Sequence, residues 1–150
     1  MILGVGIDVI EVARIQASFE KFGERFVKRI LHPDELAYCL SHQSPAPFIA
    51  VRFSAKEAIS KAFGTGIGAQ LGWHDMEVRR KDSGEPYVVL HGGGEALLQA
   101  RGGRAVFISL SHTQNYAAAV AVLESFPDST IAHRDHEPER KAVSPSPKTT

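Results

Sequence analysis

Arg52-Phe-Ser-Ala-Lys56-Glu57-Ala-Ile-Ser-Lys61-Ala-Phe-Gly64-Thr-Gly66-Ile-Gly68 is the stretch on which the fold turns. Ala55, Ala58, Ile59, Ala62 and Phe63 recur at helical spacing and make one apolar stripe. Glu57, Ser60 and Lys61 fall on the other face, and Gly64 supplies a helix stop. Glu57 and Lys61, at i and i+4, project together. On its own that pattern is a solvated face with an ion pair worth a few tenths of a kcal/mol.

Composition sets the bounds outside this helix. A chain of 150 residues with 43% hydrophobic content suits one globular domain with a real core. Net charge is zero with histidine neutral, which argues against generalised attraction to nucleic acid or membrane. Any anionic partner must then be met by local patches. Cys39 is the only cysteine, which excludes an internal disulfide and a cysteine-rich zinc site. Met1 to Asp8 lacks a basic leader, and no apolar run approaches bilayer length, so a cytoplasmic protein is expected.

Around the helix, Ile2 to Val9 reads as a strand with Leu3, Val5, Ile7 and Val9 on one face. Ile2, Gly4, Gly6 and Asp8 lie on the other, so Asp8 ends a face left bare by glycines, with room for a ligand. A helix follows with Ile15, Phe19 and Phe22 on one side, stopping near Gly23. Its exposed residues include Arg14 and Lys21, with Arg25, Lys28 and Arg29 just beyond. His32-Pro33-Asp34-Glu35 looks like a helix start, with Leu36, Cys39 and Leu40 as the buried side. The central helix runs roughly from Phe48 to Phe63. Asp75 to Lys81 and Tyr87 to His91 read as a hairpin around Asp82-Ser-Gly-Glu-Pro86. A short helix over Glu95 to Arg101 follows, then a second hairpin from Ala105–Ser111 and Tyr116–Leu123. Every justifiable pairing is a hairpin, so the fold class is α+β, a mostly antiparallel sheet packed on helices. One domain occupies residues 1–126. Residues 127–150 hold half of the eight prolines and only four aliphatic residues, and are expected to be a disordered tail.

Three elements carry chemistry. Asp8 and Glu57 are carboxylates, Lys61 is one turn beyond Glu57, and Ser109-Leu-Ser111-His112 puts two hydroxyls and an imidazole at a strand exit. Two carboxylates, a lysine and the amides of Gly64, Thr65 and Gly66 suit a magnesium-held diphosphate. Each has a plainer alternative. Asp8 serves equally as an N-cap, the glycine turn as a helix stop, and Ser109 and Ser111 as solvent-facing strand residues. The turn follows a helix and lacks Gly-Lys-Ser/Thr, so it is no Walker loop. No Gly-x-Ser-x-Gly elbow accompanies His112. The other six histidines read as surface residues; only His133 and His136, around Asp135, have metal-like spacing.

With these residues in view, the chain resembles holo-acyl-carrier-protein synthases, the small class of phosphopantetheinyl transferases. Gly4-Val-Gly-Ile-Asp8-Val-Ile-Glu-Val-Ala-Arg14-Ile is similar to the family's N-terminal signature, and Arg52 to Gly66 to its second. Gly84-Glu-Pro86-Tyr-Val and Ser109-Leu-Ser111-His112 are similar to a third and fourth block. The resemblance covers Met1 to about Glu124. It implies transfer of the 4′-phosphopantetheine arm of coenzyme A to a serine of apo-acyl carrier protein, releasing adenosine 3′,5′-bisphosphate. By resemblance, Asp8 and Glu57 match magnesium ligands, Lys61 a residue reaching the coenzyme A phosphates, and Gly64 to Gly66 the loop beside them. Arg52, Pro86, Ser111 and His112 fall in blocks lining the nucleotide site. Arg14 and its neighbours Lys21 and Arg25 match the helix that docks the acidic carrier protein. The family assembles as homotrimers with active sites between subunits. The resemblance implies that the attacking serine belongs to the partner, with Glu57 or a water on the metal as the candidate base for its proton. Two rivals remain: a magnesium-dependent diphosphate hydrolase using the same carboxylates on water, and a non-catalytic nucleotide- or carrier-binding module. The larger transferases carry two such halves in one chain; one half here favours the small class. Fatty-acid and polyketide carriers are not distinguished.

Overall fold

A computed structural model describes residues 1–127. From Asp128 on, the expected tail lies outside the described residues. The chain forms β1 (Ile2–Glu11), α1 (Val12–Phe22), α2 (Glu24–Ile30), α3 (Pro33–Leu40) and α4 (Ala46–Phe63). A 3-10 turn (Trp73–Asp75) leads to β2 (Met76–Arg80), β3 (Pro86–Leu90), α5 (Gly93–Ala100), β4 (Gly103–His112) and β5 (Tyr116–Ser125). One sheet has the order β1-β5-β4 and the other is the β2-β3 hairpin, with every pairing antiparallel. The α+β class holds. Beyond the expected hairpins, β1 pairs with β5 across the length of the chain.

One face of the larger sheet receives α4. Ala117, Ala119 and Ala121 on β5 are fully covered there, together with Leu123. Their small side chains let the helix lie close. The C-terminal half of α4 packs Ala55, Ala58, Ile59 and Phe63 with Leu71, Met76, Val78 and Leu90. The N-terminal half packs Ile49 and Val51 with Ile15, Val27, Ile30, Leu36 and Cys39. Burial raises the Cys39 thiol to about 11, so it is an inert core residue.

Three expectations about faces are corrected. The polar side of α4 is not simply solvated: Lys56 and Ser60 are both fully buried. The first helix stops at Gly23 as expected, where a positive φ of 61° breaks α1 from α2. That turn leaves Phe22 exposed instead of buried. Leu40, at the end of α3, is likewise exposed. The outer face of the β1-β5-β4 sheet carries Leu3, Val5, Ile7, Val9, Phe107 and Val120, all exposed. Among the described residues no helix is long and apolar enough to cross a membrane.

Candidate active site

The site begins with two missing side chains. A Cβ on Gly4 would stand 2.0 Å from the Ala62 carbonyl oxygen, and one on Gly6 would stand 1.9 Å from that of Ala58. The glycine face of β1 is therefore filled by the backbone of α4. It is not left bare for a ligand, as the strand pattern alone suggests. Successive same-face residues of β1 meet successive turns of α4, because a two-residue pleat and one helical turn are similar lengths. Gly4 meets Ala62 and Gly6 meets Ala58. Asp8, the next in line, meets Ser54, whose hydroxyl donates to its Oδ2 at 2.8 Å.

Asp8 also receives Lys61. The ammonium donates to Oδ1 at 2.9 Å and to the Ile7 carbonyl at 2.9 Å. The expected Glu57–Lys61 pair is thus replaced by a Lys61–Asp8 pair between helix and strand. Glu57 stands half-buried beside them, with no donor bonded to its carboxylate among the described residues. Burial first, then the Asp8 carboxylate, raises its pKa, while Lys61 opposes the shift. An N-cap role for Asp8 is excluded, because β1 continues to Glu11 before α1 begins.

The glycine turn is spent differently from expectation. Gly64, with φ of 74°, closes α4 in the left-handed conformation. The amides of Gly64, Thr65 and Gly66 donate to the carbonyls of Lys61 and Ser60. They cap the helix and are not pointed at a phosphate.

A second group gathers around Phe48. Arg52 is buried, stacks on Tyr38 at 4.4 Å and donates to the Phe48 carbonyl at 3.3 Å, while its Nε has no partner among the described residues. The His112 ring meets Phe48 at 5.4 Å, and His42 stacks on it at 3.6 Å. A cavity of about 250 Å³ opens beside Tyr38, Arg52, Arg79, Arg80 and Tyr87, with Pro86 adjacent at the start of β3. Ser111, on β4, lies exposed on the outer sheet face with Ser109. No hydrogen bond or ion pair among the described residues joins this group to Asp8, Glu57 and Lys61. Arg14, Lys21 and Arg25 are exposed on α1 and α2. Phe22 and Phe26 line a groove there with Arg25 and Arg29.

Sequence patterning missed the buried Lys56–Glu35 pair. The Lys56 ammonium donates to Glu35 at 2.8 Å, to the Ile30 carbonyl at 2.6 Å and to the Trp73 carbonyl at 3.2 Å. Burial lowers its pKa, while Glu35 works against that shift. The only signal was Glu35 at the third position of α3, where it also accepts from the His32 amide at 2.8 Å. Three histidines expected to be scattered on the surface, His32, His74 and His91, instead converge near Glu77.

Residues 4–121 match the family model of the 4′-phosphopantetheinyl transferase superfamily. A holo-[acyl-carrier-protein] synthase of Koribacter versatilis is 48% identical over 124 residues, 83% of this chain and 99% of the relative. The crystal structure of the holo-[acyl-carrier-protein] synthase of Neisseria meningitidis superposes with a TM-score of 0.78 at 33% identity, covering 83% of this chain and 100% of that one. That of Helicobacter pylori, in complex with coenzyme A, superposes with a TM-score of 0.72 at 30% identity, covering 80% and 99%.

Proposed function

Because the chain belongs to the 4′-phosphopantetheinyl transferase superfamily, among its holo-[acyl-carrier-protein] synthases, we propose a division of labour among its residues in that reaction. The enzyme moves the 4′-phosphopantetheine arm of coenzyme A to a serine of apo-acyl carrier protein and releases adenosine 3′,5′-bisphosphate. The observation that carries the assignment is the convergence of Asp8, Glu57 and Lys61 where β1 crosses α4.

Asp8 and Glu57 fit a magnesium ion: both are hard oxygen donors, and Lys61 balances only part of their charge. When bound, the ion would neutralise charge developing on the diphosphate. Lys61 is half-exposed and long enough to turn from Asp8 toward the departing phosphate. Glu57 is placed to accept the incoming serine's proton, standing half-buried beside Asp8 with no donor on its carboxylate among the described residues. Arg52, Pro86, Ser111 and His112 form the nucleotide side, and Gly64 and Gly66 shape the turn beside Lys61. Arg52 has a buried Nε unpaired among the described residues and an adjoining cavity, which support an anionic occupant there.

The separation of these two groups within one chain, together with the exposed apolar sheet face, supports a homotrimer with sites between subunits. Residues 1–126 contain all of this machinery. Arg14, Lys21 and Arg25, beside the Phe22–Phe26 groove, supply a basic and apolar docking surface for the acidic carrier.

The test is incubation with coenzyme A, magnesium and apo-carrier protein, followed by intact-mass measurement. One phosphopantetheine gained per carrier is expected, with one equivalent of adenosine 3′,5′-bisphosphate. Release of phosphopantetheine without carrier would establish the hydrolase instead, and absence of turnover the binding module.

A further inference from the structure

Away from Asp8 and Glu57, three segments bring a different donor set together. His32 precedes α3, Glu77 lies on β2, and His91 directly follows β3. Glu77 pairs with Val89 across the hairpin, so His91 is its diagonal neighbour on the same face. One ligand atom from each of His32, Glu77 and His91 lies within 4.8 Å of the other two. We propose that these three residues form a second metal site, selective for a borderline divalent transition metal of the zinc class over magnesium.

The chemistry of the set supports that selectivity. Two imidazoles and a carboxylate suit zinc, whereas magnesium prefers an all-oxygen shell. Three protein ligands leave the fourth tetrahedral position open. The surroundings orient each donor. The His32 Nε2 donates to the His74 carbonyl at 2.7 Å, leaving its other nitrogen as the lone-pair donor. His74 is itself held through Nε2 to the Lys28 carbonyl at 2.8 Å. The buried Glu77 carboxylate accepts from Arg79 Nε and Nη2 at 2.9 and 3.0 Å. The Arg79 guanidinium keeps it below the usual carboxylate range, hence ionised.

His91 Nε2 now donates to Glu77 Oε2 at 2.8 Å. Metal entry requires the other tautomer: the Nε2 proton passes to solvent while Nδ1 takes one up, so the ring stays neutral and the M²⁺ ion stands where the hydrogen was, between the two atoms. Donors about 2.0 Å from a tetrahedral zinc stand about 3.3 Å apart, so this contact opens by about half an ångström. The widest pair closes by no more than about 1.5 Å, within reach of half-exposed imidazole side chains. An ion here would fasten the α2–α3 junction to both strands of the hairpin. It would also fix Glu77 and Arg79, which border the cavity next to Arg52.

The test is a zinc titration of the full-length, EDTA-treated protein against a chromophoric chelator in excess magnesium. One saturable equivalent per chain is expected. It should survive in Asp8→Asn and in the His133→Ala/His136→Ala double variant, which remove the other metal-like groups. His91→Gln and Glu77→Gln should each weaken it at least about tenfold. His91 is outside both core clusters, so His91→Gln should stay folded, checked by circular dichroism. No saturable equivalent, unchanged affinity in both ligand variants, or loss of binding in Asp8→Asn or the tail variant would overturn the site.

Discussion

Gly6→Ala tests whether the backbone contact between β1 and α4 places Asp8. The new Cβ would lie 1.9 Å from the Ala58 carbonyl oxygen and 2.7 Å from the Ala62 nitrogen. Real Cβ contacts essentially never fall below 3.0 Å, so strand and helix must part by about 1 Å. Both obstructing atoms are backbone, and no side chain can swing aside. Overpacking usually costs about 1–3 kcal/mol, and a rigid obstacle puts this case near about 3 kcal/mol. The same retreat stretches the Ser54–Asp8 and Lys61–Asp8 bonds, now 2.8 and 2.9 Å, beyond hydrogen-bond range. Urea denaturation followed by circular dichroism should therefore show the loss, together with a fall in transferase turnover at temperatures where the variant is folded. Gly68→Ala is the control, because a Cβ there meets nothing within 4 Å. It should stay within about 0.5 kcal/mol of the parent. A Gly6→Ala protein equally close to the parent would refute the claim that backbone contact sets the site.

Lys56→Met should destabilise the chain by about 3–5 kcal/mol, since it strands the buried Glu35 carboxylate. Lys56→Met/Glu35→Leu should be less damaging than that single change, and additive losses in a denaturation cycle would contradict the pairing. In a metal-free NMR titration, the Glu57 midpoint should fall in Asp8→Asn and rise in Lys61→Met. Because folding raises this pKa, the folded state keeps a proton the unfolded chain has lost, so stability declines as pH rises through that window. Glu57→Gln should remove that decline and abolish magnesium-dependent transfer while leaving the circular dichroism spectrum intact; normal turnover would rule out the metal and base roles. Arg14→Ala should weaken carrier binding while coenzyme A affinity, read by calorimetry, is retained. Equal loss of both would remove Arg14 from the docking surface.

The elements were legible because their signals are local. Strand alternation from Ile2, the stop at Gly64 and the Asp82–Pro86 turn depend on neighbours a few residues away. The β1–β5 pairing and the second covered side of α4 depend on partners distant in sequence, so periodicity could not reveal them. The same limit explains Lys56 and Ser60, which look solvent-facing until α3 and the 3-10 turn are placed. Asp8, Glu57 and Lys61 were identifiable by type and by resemblance. Their actual pairing was not, because Lys61 is as well spaced for Glu57 as it is placed for Asp8. His32, His74 and His91 lie far apart in the chain, and their convergence on Glu77 exists only in the folded hairpin.

Lys56 and Glu57 are adjacent, and their contrast explains how one helix can serve both the core and the proposed active site. Successive helical residues are about 100° apart, so one turns into the protein while the next faces the sheet edge. Lys56 is directed into a region closed on every side, where three oxygen acceptors consume all three of its protons. That arrangement fixes the helix rotation, because any roll about its axis would break several charge-assisted bonds at once. Gly4 and Gly6 fix its distance from β1 by backbone contact. Rotation and distance together fix where the backbone of Glu57 and Lys61 stands relative to Asp8. Glu57 then remains half-buried without a hydrogen-bond donor among the described residues, beside another carboxylate that raises its proton affinity. Such a group is costly in a purely structural helix, which supports the proposed metal-binding and proton-accepting roles.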